Sequence, residues 1–265
     1  MSSNNINLVD SHCHLNMLDL APYAGKLSGV IDAAAEVGIT AMLCISVDLS
    51  TLPAVLQTAE QFNNVYASVG VHPNDSKDDP VTVAQLVQLA QHPKVIAIGE
   101  TGLDYYRSEG DLEWQRDAFR THIRAAKELQ KPLIIHTRAA QVDTIKIMRE
   151  EGVQAVGGVM HCFTEDWDMA QQAIDLGFYI SFSGIVTFKN AVQIQAVAKQ
   201  IALSSMLVET DSPYLAPIPH RGKPNYPAYT RIVAEYIAEL RAESLEVVAQ
   251  QTTQNFYNLF KGAKP

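Results

Sequence analysis

The sequence predicts a single α/β domain, a (β/α)8 TIM barrel spanning residues 1–265, on three observations. Short apolar runs alternate with amphipathic helical segments eight times along the chain, a pattern that requires parallel strands joined by helical crossovers. The runs are almost continuously hydrophobic, as strands buried on both faces are. No glycine-rich dinucleotide loop follows the first run, which sets an open Rossmann sheet aside, and eight such units in about 260 residues close into a barrel.

The first strand, INLVD from Ile6, leads into the sequence Asp-Ser-His-Cys-His-Leu at residues 10–15. Side chains at i and i+2 of an extended chain share a face, so His12 and His14 converge while Cys13 faces the other way. Two imidazoles aimed at one point suit a metal ion. The helical segment 27–37 follows, then the strand TAMLCISV from Thr40, which ends near Ser46. After helix 52–62 comes VYASVGV from Val65, running into His72-Pro73; after helix 83–90 comes VIAIGE from Val95, ending in Glu100. Helix 114–129 precedes PLIIHT from Pro132, which carries His136, and helix 142–148 precedes GGVMHC from Gly157, which carries His161. Helix 169–176 leads to FYISFSG from Phe178, ending near Ser183, and helix 192–201 to MLVETD from Met206, ending in Asp211. A last helical region covers 229–260, and Pro217, Pro219, Pro224 and Pro227 mark one rigid loop before it.

With 47% hydrophobic and 18% charged residues the chain supports a large core. A net charge of −9 argues against a basic-patch nucleic-acid binder, but not against an enzyme whose bound ions supply positive charge locally. The three cysteines, Cys13, Cys44 and Cys162, form no CxxC pair and no disulfide framework, which points to a reducing compartment. The N-terminus lacks a secretory pattern and no run approaches a membrane span, so a cytoplasmic location is expected, with no membrane association and no obligatory protein partner.

A barrel builds its active site at the C-terminal ends of its strands. Five of the eight histidines (His12, His14, His72, His136 and His161) stand there, with Glu100 and Asp211 beside them. His92, before Pro93 in a turn, and His122, on a helix, read as structural; His72, followed by proline, stays outside the expected ligand set. The remaining six residues, four histidines and two carboxylates, exceed one hydrolytic zinc site and suit two ions sharing Glu100. Mixed nitrogen and oxygen donors accept zinc, manganese or magnesium.

The motifs DSHCHL, GETGLDYYR, PLIIHTR, GGVMHCFTE, FYISFSGIVTFK, VETDSPYLAP and PHRGKPN resemble those of the TatD-type metal-dependent deoxyribonucleases, over nearly the whole chain from Leu8 to about Phe260. The resemblance implies a TIM barrel of the amidohydrolase superfamily that cleaves DNA phosphodiesters, often from the 3′ end. It implies His12, His14, Glu100 and Asp211 around one metal, with Glu100, His136 and His161 holding the other. Asn16 stands where many members have Asp, and Tyr226 where some have Glu, departures that bear on substrate preference.

Asp211 and Glu100 are therefore expected to be catalytic, Asp211 taking the proton of the attacking water. Glu209, two residues before Asp211 and one layer deeper, and Asp104 are expected to hold ligand histidines in place. Arg107 beside Tyr105 and Tyr106, and Arg221 and Lys223 on the loop after the eighth strand, are candidate substrate contacts. Cys162 is expected to point into packing. The expected substrate is a DNA end, single-stranded or frayed, or a small phosphodiester, without stable duplex binding. Rival readings are an amide or lactone hydrolase on the same barrel and a non-catalytic metal-binding barrel. Relatives of the former often bridge their metals through a carbamylated lysine, for which Lys131 lies at the wrong end of its strand.

Overall fold

A computed structural model of the chain describes residues 6–75, 77 and 80–265. Eight parallel strands follow one another around a nearly closed barrel in sequence order. They are β1 (Leu8–Cys13), β2 (Ile39–Cys44), β3 (Val65–Val69), β4 (Val95–Asp104), β5 (Leu133–Arg138), β6 (Gly158–Met160), β7 (Phe178–Phe182) and β8 (Met206–Val208). The seam is joined by one parallel bridge between Cys13 and Ser212, flanked by bonds from Asp211 N to His12 O (2.9 Å) and from His14 N to Ser212 O (2.8 Å).

The helices are α1 (Leu27–Glu36), α2 (Leu52–Gln61), α3 (Val83–Leu89), α4 (Glu113–Leu129), α5 (Gln141–Glu150), α6 (Trp167–Asp175), α7 (Val192–Gln200), α8 (Thr230–Arg241) and α9 (Leu245–Leu259). The last helical region is thus two helices. Ala242 adopts a left-handed conformation that ends α8, and Ser244 caps the new N-terminus at Val247 N. Among the described residues no helix is long and apolar enough to cross a membrane.

Period two divides the strand side chains into two layers. One set, including Val9, Leu43, Ile96, Ile134, Val159 and Leu207, packs together with Phe256 and Phe260 from the C-terminal segment. These fill the barrel interior and stopper its N-terminal end. The alternate set, including Leu8, Met42, Val95, Leu133, Ile180 and Met206, packs against the helix layer. Polar side chains then occupy the C-terminal mouth, where Ser11, His12, Ser68, Glu100, His161, Ser181 and Glu209 are all buried.

His122 is structural, as its place on α4 suggests. It is fully buried, its Nδ1 donates to Ala118 O at 2.7 Å, and its Nε2 accepts from Val71 N at 3.0 Å. That satisfies the neutral ring and ties α4 to the segment carrying His72. Burial pushes its pKa down to about 4, whereas the unfolded ring titrates near 6.5. Between these values the unfolded chain binds a proton that the native one refuses. The stability contribution is therefore complete above about pH 6.5 and disappears as pH falls toward 4, by on the order of 3 kcal/mol. The drop in urea midpoint between pH 7 and pH 5 should be smaller in His122→Gln than in the parent chain; equal drops would count against this assignment.

Candidate metal centre

Three irregularities in the strands aim the site residues inward. In β1 the pairing with β2 shifts between Asp10 and Cys13, so His12 joins the polar mouth while Cys13 packs outward and donates its thiol to Leu43 O. In β4 the register shifts between Ile98 and Thr101, and Gly99 and Gly102 take φ of +143° and +136° on either side of Glu100. No other residue fits there, since a Cβ on Gly102 would lie 1.9 Å from His136 O and one on Gly99 2.6 Å from Ile134 O. Glu100 N donates to Ser46 O at 3.1 Å, so the polar end of β2 fixes the depth of the carboxylate. After β8 the chain leaves the sheet, and Asp211 sits at φ +57°, a conformation that aspartate tolerates better than most residues.

Asp10, whose role the sequence does not disclose, anchors this last turn. Its Oδ1 accepts from Thr210 N at 2.9 Å and its Oδ2 bonds the Thr210 hydroxyl at 2.5 Å. Burial pushes its carboxyl up to about 7, against the bonds from Thr210. Thr210 is thereby fixed between Glu209 and Asp211.

Glu100 lies at the centre of the cluster. Its Oε1 is 2.8 Å from His161 Nε2, 3.2 Å from His136 Nδ1 and 3.6 Å from His72 Nε2, and its Oε2 is 3.4 Å from His12 Nε2. Asp211 Oδ1 is 3.3 Å from His14 Nε2 and 3.6 Å from His12 Nε2. Burial alone would raise the Glu100 pKa, but the surrounding imidazoles of His161, His72, His12 and His136 hold it well below the carboxylate range. Asp211 is likewise lowered, burial being outweighed by His14 and His12. Both carboxylates are ionised at neutral pH.

Three of the four predicted ligand histidines, His14, His136 and His161, are oriented by a second group. Nδ1 of His14 faces Ile45 O at 3.4 Å, leaving Nε2 for the centre. Asp104 Oδ2 is 3.3 Å from His136 Nε2, and Glu209 Oε1 is 3.3 Å from His161 Nδ1 while accepting Cys162 N at 2.8 Å. Asp104 is itself fixed by Tyr106 N and Arg107 N at 3.0 Å and Asn74 Nδ2 at 3.1 Å. Burial would raise its pKa, but the His136 imidazole beside it and the bond from Asn74 hold it far below the usual value. Outer carboxylates of this kind set the direction and basicity of a ligating imidazole.

The structure also brings His72 into the cluster, which the following proline obscures in the sequence. His72 N donates to Val47 O at 2.7 Å, and its Nδ1 accepts from Asn74 N at 3.2 Å. The Nε2 facing Glu100 then carries the proton of the neutral ring. Burial lowers the pKa of His72 to about 4, so it stays neutral. This geometry points the His72 N–H toward Glu100 Oε1, 3.6 Å away.

The donors fit divalent cations. Among the described residues, three overlapping groups have ligand atoms within 4.8 Å of one another: His12, Glu100 and His161; His12, His14 and Asp211; His72, Glu100 and His136. Both ring nitrogens of His12 are buried without a hydrogen-bond partner, which is costly for an imidazole unless another group takes its lone pair. His12 belongs to two of the groups and Glu100 to two, so the cluster is continuous across the barrel axis.

The centre opens into a cavity of about 680 Å³. Arg107 lines it, as do Arg138 from the end of β5 and Tyr214 from the turn after Asp211. Arg221 and Lys223 do not: the proline-rich loop turns outward, with His220 stacked on Tyr229 at 4.2 Å and Arg221 over the Phe188 ring at 4.3 Å. Tyr105 packs on the rim with its hydroxyl 2.7 Å from Asp143 Oδ2. Cys162 departs from expectation. β6 stops at Met160, Cys162 takes φ +43°, and its side chain turns into the cavity wall 3.2 Å from Ser183 Oγ. Burial pushes that thiol well above its ordinary pKa, so it is no nucleophile.

This architecture and donor set can be compared with known proteins. The profile of the TatD related DNase family matches residues 9–261. The chain belongs to that family. It is 49% identical over 256 residues to the uncharacterized metal-dependent hydrolase YcfH of Escherichia coli K12, covering 96% of this chain and 95% of the other. It is 41% identical over 255 residues to the uncharacterized metal-dependent hydrolase YabD of Bacillus subtilis, covering 96% and 99%. The crystal structure of the Escherichia coli TatD homologue YjjV superposes with a TM-score of 0.89 at 28% identity, covering 97% and 98%. The fold of this chain is thus that of a TatD homologue over 97% of its residues.

Proposed function

We propose that this TatD-type hydrolase cleaves phosphodiester bonds at the ends of single-stranded or frayed DNA, from the 3′ end, using two divalent ions. The observation that carries the reading is the buried Glu100 carboxylate, in contact with His12, His136 and His161 and so able to serve two ions at once. His12, His14, Glu100 and Asp211 would hold one ion and Glu100, His136 and His161 the other. When bound, such a pair of ions lowers the pKa of water and neutralises charge on attacking and leaving oxygens. Asp211, ionised and at the cavity wall, accepts the proton of the attacking water. Asp104 and Glu209 hold His136 and His161 in register. Arg107, on the cavity rim, contacts a phosphate of the strand.

The amide-hydrolase alternative lacks its lysine. The Lys131 amine donates to Ala90 O at 2.6 Å and Val95 O at 2.7 Å at the N-terminal end of β5, remote from the mouth. Incubating metal-reconstituted protein with labelled single-stranded DNA, RNA and a chromogenic phosphodiester tests the reading. Turnover of DNA from its 3′ end supports it, and a metal-loaded protein that turns over none of the three would overturn it.

A chain of net charge −9 whose cavity presents few cations should hold only a few phosphates. Binding to long duplex is expected to be weak, its log K falling by about 0.9 per phosphate neutralised and by less than about 3 per decade of salt in all. Anisotropy titrations at several salt concentrations measure this; tight binding with a steep slope would contradict it.

A further inference from the structure

The cavity has two unlike walls. Over β4 and β5 it presents Arg107 and Arg138, and over β8 and β1, across the barrel, it presents Tyr214 and Met17. Arg116, Arg120, Arg124, Arg231 and Arg241 all pair with carboxylates. Among the described residues Arg138 has no carboxylate partner, although Asp104 stands beside it in the β4–β5 register. Its guanidinium instead lies over the ring of Tyr106 at 4.0 Å, and Tyr106 is 69% exposed. One face of the cation is thus covered by an aromatic ring, which fixes its plane and leaves its edge donors free.

Resting on the phosphodiesterase reading, we propose that Arg138, held by Tyr106, binds the phosphate next to the scissile one. Arg138 lies two residues beyond His136 on the same strand, about 6.6 Å along it. That is the order of the separation of neighbouring phosphates on a single strand. An anion placed at the His136 side of the centre therefore has its neighbour within reach of the guanidinium fork, which suits phosphate oxygens. The strand body enters over β4 and β5, and the terminal nucleoside rests against Tyr214, which is 54% exposed and edge-on to His14 at 6.0 Å. The preferred substrate then carries at least two consecutive phosphates.

The test compares a thymidine trinucleotide, which has two phosphodiesters, with bis(4-nitrophenyl) phosphate, which has one phosphate, on the metal-loaded protein. In Arg138→Ala the ratio of kcat/KM values, trinucleotide over small diester, should fall roughly 10- to 100-fold, mainly through KM. Arg138→Lys should recover part of the loss, and Tyr106→Ala should show a smaller fall in the same direction. In EDTA, binding of a labelled single-stranded oligonucleotide by Arg138→Ala should lose about 0.7 from its salt slope, one phosphate's share. A ratio and a slope both unchanged from the parent would overturn the subsite. A parent enzyme inert toward both diesters would overturn the phosphodiesterase reading itself, and the subsite with it.

Discussion

Replacement of Glu100 by glutamine is expected to remove both ions and abolish turnover while leaving the barrel folded. The carboxylate is 3% exposed and touches four imidazoles, so its charge is the only one that both ion positions share. Glutamine keeps the volume between Gly99 and Gly102 and the bond from Glu100 N to Ser46 O, so the backbone has no reason to move. It removes the anion that both ions require. Loss of an outer-shell partner alone weakens metal binding roughly 10- to 100-fold, and loss of a shared ligand should exceed that at each position. Elemental analysis after reconstitution should show less than one ion per chain, against up to two in the parent protein, with an unchanged far-UV spectrum. Retention of two ions would remove Glu100 from the centre. So would a parent chain that never exceeds background metal.

Asp211→Asn separates ligand from base. Asparagine preserves the shape, tolerates the left-handed conformation at φ +57° and keeps one oxygen toward His14 and His12, but it cannot take a proton. Turnover should fall roughly 10²- to 10⁴-fold, while the ion between His136 and His161 remains. Those histidines are held by Asp104 and Glu209, neither of which contacts Asp211. Turnover assayed beside metal content decides the matter. Near-normal turnover would exclude Asp211 as the base, and loss of both ions would make its role structural.

Imidazoles that hold an ion must be neutral, so protons would compete with metal at this centre. His161 is the sensitive member. Burial would lower its pKa, but Glu100 and Glu209 raise it well above the ordinary value. In the metal-free protein the proton on His161 contributes stability that is full below about pH 6.5 and is lost as pH rises through the raised value. A divalent ion held by His161 would displace that proton.

The alternation of apolar runs and helical segments determined the barrel, because each strand buried on two faces must be hydrophobic throughout while its crossover helix needs only one apolar stripe. The same alternation located the mouth, and chemistry-bearing residues at strand ends could then be named: His12, His14, Glu100, His136, His161 and Asp211. Period-two reasoning carried as far as Glu209, which lies on the Leu207 layer and meets His161. It failed at Cys162, where the strand has stopped being regular. Cys162 and Asp211 adopt positive φ, and β1 and β4 change register before their active residues, so side-chain direction there is set by neighbouring strands. His72 was obscured for a related reason: its backbone is fixed by Val47 on another loop, a contact that no local pattern encodes. Arg138 and Arg221 differ in the same way. Arg138 ends a strand and Arg221 follows one, but the first stacks on Tyr106 in the cavity wall and the second on Phe188 outside it. Local sequence sets which residues reach the mouth of a barrel, because strand length and period are local properties. Which of them face one another is decided by closure of the barrel, which brings together residues up to 200 positions apart, as Asp10 and Thr210 are.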